Sequence, residues 1–151
     1  MALYGSGDPR WVDALLDWRW TWPLCRVALT SAYWVGGLTK LLDWQAAVDE
    51  AAGFGLHPAG AAAALTIVVE LVGSALVIAG RGVWLGAGAL GVFTLLASGL
   101  ANDFWNREGG EHFTALNGFL EHLGLIAGLV LAALVAKHRM RGPQVRLGGQ
   151  R

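Results

Sequence analysis

Residues 59–79 read AGAAAALTIVVELVGSALVIA, a run with a single ionisable side chain, Glu70. At about 1.5 Å per residue, an α-helix of this length covers about 30 Å, the thickness of a bilayer's hydrocarbon core. The run is far too long for a strand, which usually takes about 5–6 residues. Three further stretches share its character: about 24–42, 83–101 and 115–136. A soluble domain of 151 residues has too little interior to cover four helices that are apolar all round. The sequence therefore predicts an all-α integral membrane protein, a four-helix transmembrane bundle forming one domain over 1–151.

Composition agrees. The chain is 55% hydrophobic and 15% charged, with net charge zero. Soluble domains carry about a quarter charged residues, and no basic field is present to hold nucleic acid. Cys25 is the one cysteine, so the chain cannot form an internal disulfide or work as a dithiol. Its expected role is packing near the inner interface. The first twenty residues lack the pattern of a cleavable leader, so the first span is expected to serve as its own targeting signal.

The connections set the topology. Arg81-Gly82 predicts a tight turn that makes the second and third spans antiparallel neighbours. The segment Asp43–His57 is amphipathic and acidic, and ends at Pro58, which favours a helix start. Asp103–Phe113 is polar, with Gly109-Gly110 expected to break the helix. Arg10, Arg19, Arg81, Lys137, Arg139, Arg141, Arg146 and Arg151 fall on one side of the spans, against Arg107 and Lys40 on the other. By the positive-inside rule the first side, with both termini, is cytoplasmic. The 137–151 tail is expected to be a topology signal and lipid-headgroup contact.

Before the first span, Asp8 is placed to cap a helix that Pro9 starts. Trp11, Leu15, Trp18 and Trp22 form one stripe of it, which predicts a short interfacial helix over 8–22. Trp44, Trp84 and Trp105 sit at span ends, as anchors do.

Within the spans, polar and small residues recur at helical spacing. Arg26, Thr30, Tyr33, Gly37 and Lys40 share a face of the first span. Ala63, Thr66, Glu70, Gly73 and Ser74 share one of the second, Gly88, Gly91, Ser98 and Asn102 one of the third, and Asn117, Glu121, Gly124 and Gly128 one of the fourth. Polar groups turn from lipid toward one another, so the four stripes are expected to converge inside the bundle. Lys40, Asn102, Asp103, Glu121 and His122 would then gather in its outer half, with Glu70 near the midplane and Arg26 near the inner end. Two readings stand side by side: ion pairs that only set helix register, or a buried polar pocket for a ligand or proton. His57, His112, His122 and His138 lack metal-ligand spacing, and only His122 lies clearly inside a span, so neither a metal site nor a haem is expected.

The pieces Gly37-Leu-Thr-Lys40-Leu-Leu-Asp43-Trp44, Gly55-Leu-His-Pro58, Glu70-Leu-Val-Gly73, Gly80-Arg81, Phe104-Trp105 and Phe119-Leu120 stand in an order and spacing that resembles the DoxX family of small four-helix bacterial membrane proteins. The resemblance covers about Arg26 to Ala133. Two positions depart from the family's pattern. Asn102 stands where a His usually precedes x-Phe-Trp, and Phe119-Leu120-Glu121-His122 replaces the usual Phe-Leu-Lys-Asn. A His and an Asn are thus exchanged between Asn102 and His122 if the two face each other, and Glu121 brings a reversed charge that offers Lys40 a partner.

The resemblance implies a multi-pass protein of the bacterial inner membrane belonging to redox or sulfur-linked systems. The family's name-giving members resemble the membrane part of thiosulfate:quinone oxidoreductase. On this reading a bound quinone is the implied cofactor, and an extracytoplasmic or membrane redox partner supplies electrons. Lys40, Asn102 and His122 would donate hydrogen bonds, while Glu121 or Glu70 would handle protons; Arg26, Tyr33 and Asp103 complete the candidate set. The alternatives are a non-enzymatic anchor or assembly module and, with less support, a small-solute transporter, since no inverted repeat or broken helix is visible. A homo-oligomer is compatible with the Gly-rich third span.

Overall fold

The computed structural model describes residues 9–141. All regular structure among them is helical: α1 (Arg10–Asp17), α2 (Thr21–Leu29), α3 (Ser31–Leu42), α4 (Trp44–Gly53), α5 (Ala59–Ala79), α6 (Val83–Ala101), a single 3-10 turn at Phe104–Asn106, and α7 (Gly109–Arg141). Asp8, Arg146 and Arg151, to which the sequence reading gives capping and topology roles, lie outside the described residues.

The expected helix over 8–22 is shorter. α1 stops at Asp17 because Trp18 turns extended (φ −61°, ψ 128°). Trp22 belongs to α2, whose first turn also holds Pro23, where a missing N–H does no harm. No residue of α1 is buried, and Trp11, Leu15, Leu16 and Trp18 all stand exposed, as on a helix whose apolar side lies in a membrane interface.

The first apolar stretch is not one helix but two, α2 and α3, meeting at Thr30. Thr30 is fully buried, and its Oγ1 donates to the Arg26 carbonyl at 2.8 Å. A threonine that bonds back to the preceding turn bends a helix. At Thr30 itself the backbone stays bonded: its N–H reaches the Arg26 carbonyl and its own carbonyl accepts from Trp34.

α5 and α6 fall where the sequence places them. Gly80 (φ 75°) ends α5 in the left-handed conformation that favours glycine at this position, and Gly82 (φ 64°) precedes α6. The acidic segment before Pro58 folds as α4. Asp43 caps it by accepting the Ala46 N–H at 3.1 Å, and Ala47 and Ala51 pack on Ala63 of α5. Gly109-Gly110 does not break a helix but begins one: Gly109 (φ 58°) opens α7, so the polar connection is helical from that point.

Three helical segments are long and apolar enough to cross a membrane: Ala59–Ala79, Val83–Asn106 and Gly109–Arg139. The core joins Tyr33, Val77, Val83, Ala87, Leu90 and Leu129. α3 packs on α5, α5 on α6, α6 on α7, and α2 touches both α5 and α7. Only 33% of the most apolar window of α5 and of α6 is buried within the protein, and 11% of that of α7. Leu65, Val92, Leu96, Leu131 and many like them stay exposed. An apolar surface this continuous is stable only against hydrocarbon. The protein is an all-α membrane bundle.

Candidate functional site

The first two polar stripes turn inward together. Thr30, Tyr33 and Gly37 are buried and Arg26 and Lys40 half-buried; on α5, Glu70, Gly73 and Ser74 are buried. α3 and α5 meet closely because Gly37 has no side chain: a Cβ there would stand 2.9 Å from Leu71 and 3.2 Å from the Glu70 Cβ. Helical side chains lean toward the helix N-terminus, so Lys40 folds back over Gly36, one turn earlier. Its Nζ lies 3.4 Å from Glu70 Oε1 and 3.9 Å from Glu50 Oε2.

Glu50 is a member that the sequence reading missed. It comes from α4, and only the packing of Ala47 and Ala51 brings it in. Glu70 is 5% exposed, and its second oxygen, Oε2, is buried without a hydrogen-bond partner. A Cβ on Gly36 would sit 3.6–3.7 Å from both carboxylate oxygens and from Lys40 Nζ. Gly36 therefore leaves room for about a methyl group beside an ammonium donor and a carboxylate oxygen that has no donor.

Tyr33 joins α3 to α6. Thr94 Oγ1 donates its proton to the Leu90 carbonyl at 2.7 Å, so the Tyr33 hydroxyl, 2.5 Å away, is the donor to Thr94. Thr94 was absent from the expected third stripe, although it stands four residues before Ser98. The face that α6 buries is Val83, Gly86, Ala87, Leu90, Thr94 and Ser98; Gly88 points outward, with nothing within 4 Å of a Cβ built there.

A second cluster lies between α6 and α7. Asn102 Nδ2 and Ser98 Oγ stand 2.9 Å and 3.1 Å from His122 Nδ1. Both can donate, which makes Nδ1 the acceptor and leaves the ring proton on Nε2. Asn102 and His122 therefore face each other between α6 and α7. Asn102 also lies on Gly118, where a Cβ would meet its Oδ1 at 2.6 Å. Beside it, Phe104, Trp105 and Phe119 pack edge to face, with Phe104 centred 5.4 Å from Phe119. His112 Nδ1 donates to the Phe104 carbonyl at 2.7 Å.

The remaining candidates do not join this site. Glu121 is exposed, like Asn117 and Gly124, so of the fourth stripe only Gly128 packs inward, against Leu29, and Lys40 takes Glu70 and Glu50 as partners instead. The buried side of α7 is offset by one residue and carries Ala115, Leu129 and Ala132, with His122 half-buried beside them. Because α7 is apolar nearly all round, its few polar residues are weak guides to its inner face. Replacing Glu121 with Leu should therefore raise stability in a bilayer, by about 1–2 kcal/mol, read as resistance to unfolding by SDS in mixed micelles. A loss of stability would place Glu121 in contact with a partner.

Asp103 sits in the connection, where its Oδ1 accepts from Arg107 Nε at 2.6 Å. That carboxylate holds the Arg107 guanidinium above its ordinary range, but the pair is a surface clip. Arg26 lies at the opposite end of the bundle, donating through Nη1 to the Val77 carbonyl at 3.2 Å. Cys25, expected in packing, is exposed. The single outer pocket is thus divided into two clusters, Lys40–Glu70–Glu50 and Asn102–His122–Ser98, bridged through α5 and α6 by packing.

Two cavities flank them. One of about 670 Å³ opens between the end of α6 and the start of α7, lined by Asn102, Arg107, Glu108, Glu111 and Thr114. The other, about 530 Å³, is an apolar groove on α5 and α6 beside Trp84. Neither is lined by Lys40 or Glu70.

A helical bundle with lipid-facing surfaces, apolar membrane-length helices and ionic groups turned inward defines a multi-pass membrane protein. The family model for DoxX matches residues 21–103, more than half of the chain, so the protein belongs to the DoxX family. The match takes in Lys40, Glu50, Glu70 and Asn102 and stops before α7, so the expected likeness in the fourth span lies beyond it. No curated protein and no solved structure matches the chain.

Proposed function

We propose that this DoxX-family protein is the membrane subunit of a redox-linked system, with a polar site between α3, α4 and α5 for the headgroup of a quinone or a similar small amphiphile. The observation that carries the reading is the free Oε2 of Glu70. A buried carboxylate oxygen without a partner is costly, and here it stands beside Gly36 and within reach of Lys40. A donor and an acceptor side by side complement a ring oxygen that is a carbonyl in one redox state and a hydroxyl in the other. The bound quinone supplies the electron-carrying chemistry; the chain's own residues bind it, orient it and hold a proton at Glu70. Electrons reach it through a membrane or extracytoplasmic partner.

In the bilayer, α2 and α3 together make the first of four crossings, and α5, α6 and α7 the others. Both termini then lie on the cytoplasmic face of a bacterial inner membrane. The meeting of Arg26 with Arg139 at one end of the bundle supports this arrangement, because it gathers basic residues on one side.

The expected result is quinone carried through detergent purification, close to one per chain, and lost from Glu70→Gln. Quinone-free protein, with Glu70→Gln and Lys40→Ala leaving the host's redox behaviour unchanged, overturns the reading. A second reading, an anchor for a partner protein, has its own support in the open polar cavity around Arg107, Glu108 and Glu111. Substituting those three and finding a lost partner in pull-downs, with quinone content unaffected, would favour it.

A further inference from the structure

At the end of the bundle remote from Lys40, the guanidinium of Arg26 lies 5.5 Å from the centre of the Trp22 ring, and that of Arg139 lies 5.3 Å from the same ring. Trp22 is in the first turn of α2, Arg26 one turn later, and Arg139 in the last turn of α7. Two like charges have been brought to one aromatic side chain from helices far apart in sequence. The ring attracts each of them but neutralises neither. The three ion pairs among the described residues are Lys40 with Glu50, Lys40 with Glu70, and Asp103 with Arg107, so neither arginine has a carboxylate partner among them. Asp13 and Asp17 of nearby α1 make no ion pair with them.

Arg26 is also held in place. Its Nη1 donates to the Val77 carbonyl, its guanidinium lies on Gly80 so closely that any Cβ would collide with it, and its Nε–H is buried without an acceptor. A fixed, partly desolvated guanidinium, with a second guanidinium brought to the same tryptophan ring, lacks one thing, an anion with several acceptor oxygens. The planar fork of arginine matches phosphate oxygens in pairs.

The surroundings say where that phosphate would come from. Trp18, Trp20 and Leu24 are exposed beside the cluster, and exposed tryptophans at the end of apolar helices mark the headgroup level of a bilayer. Arg19 sits over Trp20 at 5.2 Å, so the rim is basic as well.

We propose that Arg26, Arg139 and Trp22 form a binding site for a phosphate anion at the membrane surface, supplied by an anionic phospholipid headgroup or by free phosphate. The site takes its charge from two helices, α2 and α7, so occupancy ties the end of α7 to the start of α2.

The test uses the full chain in detergent, titrated with phosphatidylglycerol and followed by native mass spectrometry. Arg139→Gln is the working variant, because Arg139 is exposed at the end of α7 and its side chain makes no hydrogen bond among the described residues. We expect it to bind phosphatidylglycerol about tenfold more weakly, the loss of one charge-assisted pair. Arg19→Gln, on the neighbouring ring, should stay within about twofold of wild type, and phosphatidylcholine should bind about tenfold more weakly than phosphatidylglycerol. Inorganic phosphate is the second probe. Release of the lipid by millimolar phosphate, absent with chloride at equal ionic strength, assigns the site to free phosphate; retention assigns it to the headgroup. Undiminished binding of both probes by Arg139→Gln, or an equal loss with Arg19→Gln, overturns the site. Because Arg26 also ties α2 to α5, Arg26→Lys serves as the check on that side chain. It keeps the charge but loses the fork, and should weaken phosphatidylglycerol binding with no change in melting temperature beyond a few degrees.

Discussion

Lys40→Ala should lower the unfolding free energy of the solubilised protein by about 3 kcal/mol, the usual cost of stripping one partner from a buried ion pair. The size follows from what remains. Glu70 keeps its place, because its Cβ is wedged at Gly37 and its backbone carbonyl accepts from Ser74 Oγ at 2.6 Å. It therefore cannot swing toward water, and both of its carboxylate oxygens are left without a donor. The reverse change, Glu70→Leu, should cost only about 1 kcal/mol. Lys40 is 22% exposed and already stands 3.9 Å from Glu50, so its flexible stem can carry the ammonium outward. The double variant Lys40→Met/Glu70→Leu should return to within about 1 kcal/mol of wild type, since a packed apolar pair avoids desolvating two charges. Reversible unfolding in mixed micelles reads all three. An additive double variant, or a Lys40→Ala loss no larger than that of Glu70→Leu, would show that the pair is not what fixes α3 against α5. The same three proteins, assayed for bound quinone, separate a ligand site from a register device: a stable double variant without quinone is a pocket that has lost its polar groups, not a fold that has failed.

How far the fold can be read from the residues depends on whether a local signal competes with a long-range one. α5 and α6 begin and end where Pro58 and the Gly80-Arg81-Gly82 turn place them, because proline and left-handed glycines act on their own backbone. Thr30 is different. Its place on the polar stripe announces burial, but the bend comes from its hydroxyl choosing the Arg26 carbonyl, a choice open to any threonine in a helix. Gly109 reads as a breaker and serves as a start, since the same positive φ can close a turn or open a helix. The facing of α7 is the largest departure. With apolar residues on every side, periodicity has no preferred direction, and Asn117 and Glu121 point away from a bundle that His122 enters. Two pairings were within reach: Lys40 with Glu70, on facing stripes of the first two spans, and Asn102 with His122, from the exchange that the family resemblance implies. Glu50 and the Arg139–Trp22 contact were not, because each depends on how a separate helix docks.

The close approach of α5 to α6 gives the other large effect. A Cβ on Gly86 would stand 2.6 Å from the backbone carbonyl oxygen of Gly73 and 2.9 Å from the Leu76 Cβ. A side chain can rotate away from such a clash, but a helix backbone cannot, so α6 must move off α5 as a body. Even Gly86→Ala should then cost about 2–3 kcal/mol, and Gly86→Leu should prevent the two helices from packing at all. The loss propagates, because Leu90 fills the space over Gly73, where a Cβ would meet it at 2.8 Å, and Leu90 is in turn fully buried against the core that holds Tyr33 and Leu129. Gly88 is the internal control, two residues along the same helix and open to the outside. Gly88→Ala meets nothing within 4 Å and removes a flexible residue from a helix interior, so it should stabilise by about 0.5–1 kcal/mol. In a membrane, where lipid tails are as apolar as the helices, close backbone approach is a main source of helix association. The two glycines therefore separate packing from propensity within one turn of helix. If Gly86→Ala were as benign as Gly88→Ala, α5 and α6 would not meet at this distance. If Gly88→Ala were the damaging change, the outer face of α6 would be covered by another chain.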